Sequence, residues 1–505
     1  MEIVMEHSTH TVCANVFSCT GKQTLDADLV LPDYCGDIKR ILHCFVEPQL
    51  NSVFANGDRL IAQGDHMIRL LYLNEQDQPD CLEQTLPLSV NCRCDEIPAQ
   101  ATLTATAAIE YVNCRALTSR KIQVDGTLTV RFQLEAKQEL AFVGSTDSVE
   151  TSVRQINTCS LSAIAEKTFD LSETIALSEA EPPAGSIVRV TGQPLLQTTE
   201  IAEDKLLIKG TLRLGVVVLS EDREIRSLSH ALPISQVIEA PGVREGDTPD
   251  IRFSVYALYA QTKRDAAEEA RLLDLACKVH VLVKTYRAQT LTAITDCYAV
   301  GCRLHPTFEA QPFPLLLPLR PQQTQAQRTL DTGIENGKLL HLSADTVQSD
   351  TVFRDGRLQL THHVTITAMI RDEEGTLQYF EKTTELTEDY PVENEMHTPT
   401  FTSQAAVILE GARLSSNGSI QLDLSVQQTG LFFSMQTEQL LTGATADAPE
   451  KADEGQLILS FCKKGETLWS IGKRYQIPVE SIRTENDLNE DTLTEDRMLL
   501  IACAT

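Results

Sequence analysis

The residues of this chain whose types could do chemistry are His362-His363, the run Gly333-Ile334-Glu335-Asn336-Gly337-Lys338, and fourteen cysteines. Adjacent histidines on a predicted strand point to opposite faces, so they cannot readily share one metal ion. The glycine run has the wrong spacing for a phosphate-cradling loop and lacks the Ser or Thr that would follow its lysine. Neither an HExxH nor a GxSxG pattern occurs. Among the cysteines, Cys92-Arg93-Cys94 and the Cys297–Cys302 pair lie closest, and neither has the CxxC spacing of a zinc knuckle or a thioredoxin-like site. They are expected to be small buried hydrophobes. A disulfide framework would require an oxidising compartment and an export signal. The expectation is therefore no catalytic residue, no metal and no cofactor.

Charge narrows the class further. Seventy-one acidic side chains face 43 basic ones, a formal net charge of −28 on 505 residues. Such a surface repels nucleic-acid phosphates and anionic headgroups, so neither nucleic acid nor membrane is an expected partner. With so many Asp and Glu, carboxylate pairs follow from composition and single out no glycosidase site. The N-terminus, Met1-Glu2-Ile3-Val4-Met5-Glu6, carries early acidic residues and no signal-peptide core. No apolar run reaches the length of a membrane helix, and a cytoplasmic protein is expected.

The elements that would carry any site repeat along the chain. Gln123-Val124-Asp125, Leu272-Leu273-Asp274 and Gln421-Leu422-Asp423 lie about 149 residues apart, each in an alternating apolar stretch. Leu60-Ile61-Ala62-Gln63-Gly64 and Leu206-Leu207-Ile208-Lys209-Gly210 form a second set, leading to Leu86-Pro87-Leu88 and Leu232-Pro233-Ile234. A weaker third copy runs from Leu358 through Val364–Ile370 to Leu386. Period-two stretches such as Thr127–Phe132 and Lys278–Val283 read as half-buried strands. Asn56-Gly57-Asp58, Glu221-Asp222 and Asp372–Gly375 read as the turns between them. Few helices are predicted; Lys263–Leu273 is one candidate. The fold class is mainly β, with three sandwich-like repeats at 1–152, 153–305 and 306–442. A linker at 443–455 leads to a small module at 456–503.

Within that module, Leu457–Cys462 predicts a strand. Gly465 suits a tight turn and Thr467 an N-cap. Leu468, Ile471 and Tyr475 make one helical stripe, and a second helix starts at Pro478 with Val479 and Ile482 inward. Arg497–Ile501 closes a βααβ unit. Lys463-x-Gly465-Glu466-Thr467-Leu468-Trp469-Ser470-Ile471, followed by Tyr475, Val479, Ile482, Asn486-x-Leu488 and a final apolar strand, resembles the LysM family. That resemblance implies binding of N-acetylglucosamine-containing glycans, peptidoglycan among them. The groove it implies uses Gly465, Glu466, Thr467, Leu468, Asn486, Asp487 and Leu488. Read as structure alone, Leu468 and Leu488 are core residues, Thr467 a cap and Asn486 a turn-former, while Trp469 is packing. Glu495-Asp496-Arg497 replaces the Pro-Gly-Gln-like turn usual in the family, Pro478 the usual Ser-type cap, and Glu485 a position that is commonly apolar.

At the other end, Leu29-Val30-Leu31-Pro32-Asp33-Tyr34-Cys35-Gly36-Asp37-Ile38-Lys39-Arg40-Ile41-Leu42 resembles the opening of the SPOCS domain family of spore coat proteins, with Cys35-Gly36 in place of its usual residues. Pro32 is expected to stop a strand and Asp37 to cap a short helix over Ile38–Leu42. Combined with β-rich repeats and a C-terminal LysM-like module, the pattern resembles SipL-like spore morphogenetic proteins. The resemblance implies a non-enzymatic adaptor in the mother-cell cytosol, at the forespore surface, engaging the morphogenetic ATPase SpoIVA. A peptidoglycan-binding wall protein is the alternative, and a hydrolase hidden in the repeats a third.

Overall fold

Alternating apolar and polar residues with β-branched enrichment drive nearly the whole chain into antiparallel strands. The computed structural model describes residues 4–147, 149–179, 182–317, 323–392, 399–447 and 457–502. The first repeat contains β1 (Met5–Val30), β2 (Ile38–Asn56), β3 (Arg59–Asn74), β4 (Pro79–Arg93), β5 (Thr102–Ala116) and β6 (Lys121–Thr146). They form two three-stranded sheets, ordered β1-β6-β5 and β2-β3-β4. The sheets face each other over two apolar cores, one around Ile68, Tyr72 and Ile122, the other around Leu60, Val130 and Phe132.

The second repeat copies this plan with β7 (Glu150–Ala176), β8 (Ala184–Ala202), β9 (Lys205–Ser220), β10 (Ile225–Glu239), β11 (Thr248–Lys263) and β12 (Leu272–Tyr298). In the third, β13 (Leu304–Leu316) and β14 (Thr324–Asp331) both pair with β19 (Ser419–Ala446), taking the place of one long first strand. The remainder follows as before: β15 (Lys338–Arg354), β16 (Arg357–Arg371), β17 (Leu377–Pro391) and β18 (Pro399–Leu414). Proline donates no ladder hydrogen bond, and Pro312 and Pro314 lie in β13 while Pro318 and Pro321, outside the described residues, follow it.

The equivalence of the repeats extends to their irregularities. β2 has bulges at Ile38/Arg40, Ile41/His43 and Leu50/Ser52, and β8 at Ala184/Ser186, Ile187/Arg189 and Leu196/Thr198. The third bulge explains the recurring glycine of the sequence repeats. A Cβ at Gly64 would stand 1.9 Å from the carbonyl oxygen of Gln49, and one at Gly210 would stand 2.4 Å from that of Leu195. Only glycine lets the bulged strand approach so closely.

Several sequence expectations are corrected. Ile38–Leu42 is the start of β2, not a helix: the two early bulges insert extra residues, so inward apolar side chains fall at helix-like spacing. Asp37 caps nothing helical and instead accepts from Ser119 Oγ at 2.8 Å and Arg120 Nη1 at 2.7 Å. Lys263–Leu273 is no helix either. It spans the end of β11, the hairpin loop 264–271 and the start of β12, and in the loop Asp265 Oδ1 accepts from the backbone N–H groups of Ala267 and Glu269. The boundaries at 152/153, 305/306 and 442/443 each fall inside a strand, namely β7, β13 and β19. The expected linker therefore overlaps β19, whose residues Gly443–Ala446 pair with Leu304–Thr307. Small residues read as linker composition there, although their backbone groups are paired. Residues 448–456 lie outside the described residues. Two cysteines form a disulfide, Cys19–Cys92, which the scattered spacing did not suggest.

The long strands outrun their sheets. β6 beyond Glu135, β12 beyond Tyr286 and β19 beyond Ser434 pair only with β1, β7 and β13, giving three two-stranded ribbons. Such ribbons are marginal alone. Here they pack on one another, and one core gathers Phe142, Ile156, Ala293, Phe313 and Leu440 from all three repeats. His10 sits at this junction, its Nδ1 2.8 Å from Gln289 Nε2 and its ring 5.1 Å from that of Phe313. A second three-way core joins the outer faces of the other sheets through Phe45, Leu71, Val217, Leu219 and Met369. Arg223 pairs with Asp80 and Arg371 with Glu224 around it. The Arg371–Glu224 pair is part-exposed and adds little beside the apolar burial, whereas Asp80 is itself buried at this junction.

Candidate docking and glycan-binding site

The C-terminal module consists of β20 (Leu457–Cys462), α1 (Leu468–Tyr475), α2 (Val479–Glu485) and β21 (Arg497–Ala502), with the two strands antiparallel. Its core is Cys462, Leu468, Ile471, Ile477, Ile482, Leu493, Leu499 and Ile501. Thr467 is the N-cap of α1, its side chain accepting from Ser470 N at 3.1 Å. Gly465, at φ +89°, makes the turn before it, and its N–H donates to Leu493 O at 2.8 Å. Leu493 N donates back to Glu466 O, and Leu468 N to Asp491 O, zipping this loop to residues 491–493.

The seven residues implied by the LysM resemblance divide by environment. Leu468 is buried in the core and has no face toward a ligand. Glu466 accepts from Arg474 Nη2 at 2.6 Å and from the N–H of Lys463 at 3.0 Å, and the Arg474 guanidinium holds its carboxyl below the usual range. Asn486 is occupied on both sides of its amide: Nδ2 donates to Ile482 O and Leu500 O, and Oδ1 accepts from Leu500 N at 2.7 Å. It latches β21 to the end of α2. Gly465, Thr467 and Asp487 are exposed, while Leu488 is half-buried against the core. Asp487 and Leu488 line a cavity of about 200 Å3 together with Thr492, Leu493, Glu495 and Arg497. Thr492 bridges to Thr467, so the cavity and the first loop share one rim.

Two features of the module were not anticipated. The outer face of its sheet is apolar: Leu457 and Leu459 are each 67% exposed, Phe461 59% and Met498 52%. Met498 lies opposite Phe461 in the ladder. The signal was present in the sequence, because Leu457–Cys462 is apolar at nearly every position while a two-stranded sheet covered on one side buries only alternate residues. The second feature is a seat on the second repeat. Trp469 Nε1 donates to Asp296 Oδ2 at 2.9 Å and its ring meets Tyr298 edge-on at 4.9 Å. Lys473 Nζ reaches Asp296 Oδ1 at 2.5 Å, and Tyr298 Oη donates to Ile477 O at 2.8 Å. Nothing in the sequence paired these positions.

Elsewhere, His362 and His363 do point to opposite faces. His362 is buried against Ser349 and Gln428, and His363 faces Asp350. No group of side chains that could hold a metal ion occurs among the described residues, and no described helix is long and apolar enough to cross a membrane.

Comparison with known families identifies the parts. The SipL SPOCS domain model matches residues 37–117 and 183–263, and the LysM domain model matches residues 463–502. The two SPOCS spans correspond to β2–β5 and β8–β11, without the long strands that form the ribbons. No curated protein and no solved structure gives a significant match. The chain thus carries two SPOCS domains and a C-terminal LysM domain, the combination of SipL-like, sporulation-associated proteins, and both are non-catalytic binding domains.

Proposed function

We propose that this protein is a non-enzymatic adaptor of spore-envelope assembly. Its LysM domain docks a SpoIVA-like coat morphogenetic protein at the forespore surface, on the mother-cell cytosolic side. The observation that carries this reading is the apolar stripe Leu457, Leu459, Phe461 and Met498 on the outer sheet face, larger than isolated surface hydrophobics require. Much of the expected glycan-groove chemistry is spent inside the module, since Leu468 is core and Asn486 is saturated. The test is a pull-down of the full chain with SpoIVA, comparing the parent with a Leu459→Asp/Phe461→Asp variant. Binding by the parent and its loss in the variant, with the LysM core still folded, is expected. Retention of full binding by the variant would sink this surface as the dock.

The second reading is peptidoglycan binding, which the LysM domain supports in kind. Exposed Gly465, Thr467 and Asp487, beside the cavity at Thr492 and Arg497, are the groups that would face a sugar. Co-sedimentation of the chain with purified peptidoglycan, weakened by Asp487→Ala, would favour it over protein docking.

A further inference from the structure

The sandwich of the first repeat has two open seams, one where β1 faces β4 and one where β2 faces β5. The disulfide Cys19–Cys92 spans the first. At the second, where β2 and β5 meet, Cys44 on β2 and Cys114 on β5 pack against one apolar core. Cys44 stands opposite Leu70 and Cys114 opposite Val124, both fully buried, so the two thiols enter the same core from facing edges. Both remain half-buried, which leaves a path for a small reagent.

The second repeat shows that the fold does not need sulfur at these places. By strand register and matching bulges, Val190 and Ala260 take the positions of Cys44 and Cys114, and Ala165 and Ile238 those of Cys19 and Cys92. There the first seam is closed by Lys167 Nζ donating to Val237 O at 3.1 Å. Four cysteines in matched pairs at the two seams of one repeat, absent from its copy, point to cross-linking rather than packing.

We propose that Cys44 and Cys114 are a second oxidation site, converted to an intramolecular disulfide by a small disulfide oxidant, so that the first repeat is stitched along both seams. The Cys114 thiolate attacks one sulfur of oxidised glutathione and expels glutathione thiolate. The Cys44 thiolate then attacks the Cys114 sulfur of the mixed disulfide and expels the second half. The two cysteine thiols are oxidised, one glutathione disulfide is reduced, and the two thiol protons pass to the two glutathione molecules. The Cys44 thiol beside it holds the Cys114 thiol below its ordinary range and is itself pushed up, so Cys114 is the first to attack. Cys81, on β4 at the far edge of the sheet that carries Cys44, is sealed in an apolar core, and burial pushes its thiol up to about 12, leaving it a poor competitor. On the mother-cell reading proposed above, the Cys44–Cys114 pair stays open in the reducing cytosol and closes when the envelope meets an oxidising medium.

The test uses the full folded chain incubated with oxidised glutathione, alkylated, and mapped by non-reducing proteolysis and mass spectrometry. A peptide joining Cys44 to Cys114 is expected, with loss of both residues from the alkylated pool. It should form equally in a Cys19→Ser/Cys92→Ser variant, and Cys44→Ser should trap the glutathione adduct on Cys114. Recovery of both residues as alkylated thiols, as stable glutathione adducts, or joined to other cysteines would overturn the proposal.

Discussion

The indole of Trp469 donates to the carboxylate of Asp296 across 173 residues of sequence, and this bond anchors the LysM domain to the end of the second repeat. Asp296 serves Lys473 as well, with its other oxygen. The face of α1 that carries Trp469 is therefore spoken for, while the sheet face and the loop rim stay open.

Asp296→Ala removes the acceptor of both bonds and should weaken the seat by about 1–3 kcal/mol. Trp469 is the only tryptophan, so the intact chain reports directly. Its emission should move to the red and its quenching by acrylamide should rise, while the LysM core remains folded. Unchanged emission would mean that the contact with Tyr298 holds the domain without the carboxylate.

Gly64→Ala and Gly210→Ala should each cost about 1–3 kcal/mol, because the added methyl would drive the bulged partner strand away. Gly443 is the control, since a Cβ there meets nothing within 4 Å and its substitution should be close to neutral. Urea denaturation of the three variants makes the comparison. Equal stability at all three would remove the bulge explanation.

Acid should loosen the repeat junctions before it unfolds the sandwiches. Burial holds His10 and His341 neutral, each lowered to about 4. His341 is also pushed down by Arg189, against a smaller opposing effect of Asp345. Their folded values lie below the ordinary 6.5, so their contribution is complete above 6.5 and is lost as pH falls toward 4. The slope is about 1.4 kcal/mol per pH unit for each histidine. Thermal melts between pH 7 and pH 5 should show that loss, and His10→Gln should reduce it by the His10 share. A parent whose melting is flat over this range would contradict the assignment.

Asn486→Ala should destabilise the LysM domain by about 3 kcal/mol, since three hydrogen bonds to α2 and β21 disappear together. For a unit this small that is a large share of its stability. Limited proteolysis should cut at the C-terminus of the variant while sparing the repeats. Asp487→Ala should leave the fold intact, separating a ligand contact from a structural one.

Much of this was legible in the chain itself. The repeat spacing, the period-two strands and the Gly-containing turns follow from local pattern, because strand alternation and turn geometry are properties of neighbouring residues. The LysM unit was readable for the same reason: cap, helical stripe and closing strand lie within fifty residues. The helix expected at Ile38–Leu42 failed because a bulge is a mismatch between two strands and leaves no mark on one of them alone.

The sequence by itself determined a mainly β chain of repeats, its acidic character, and a LysM module with its cap and core. The tertiary structure alone decided how the ribbons meet, which cysteines face one another, and where the LysM domain sits. Trp469 and Asp296 show the physical reason. Each is an ordinary residue in its own segment, and the specificity of their bond comes from the seat that brings them together, which no local pattern encodes.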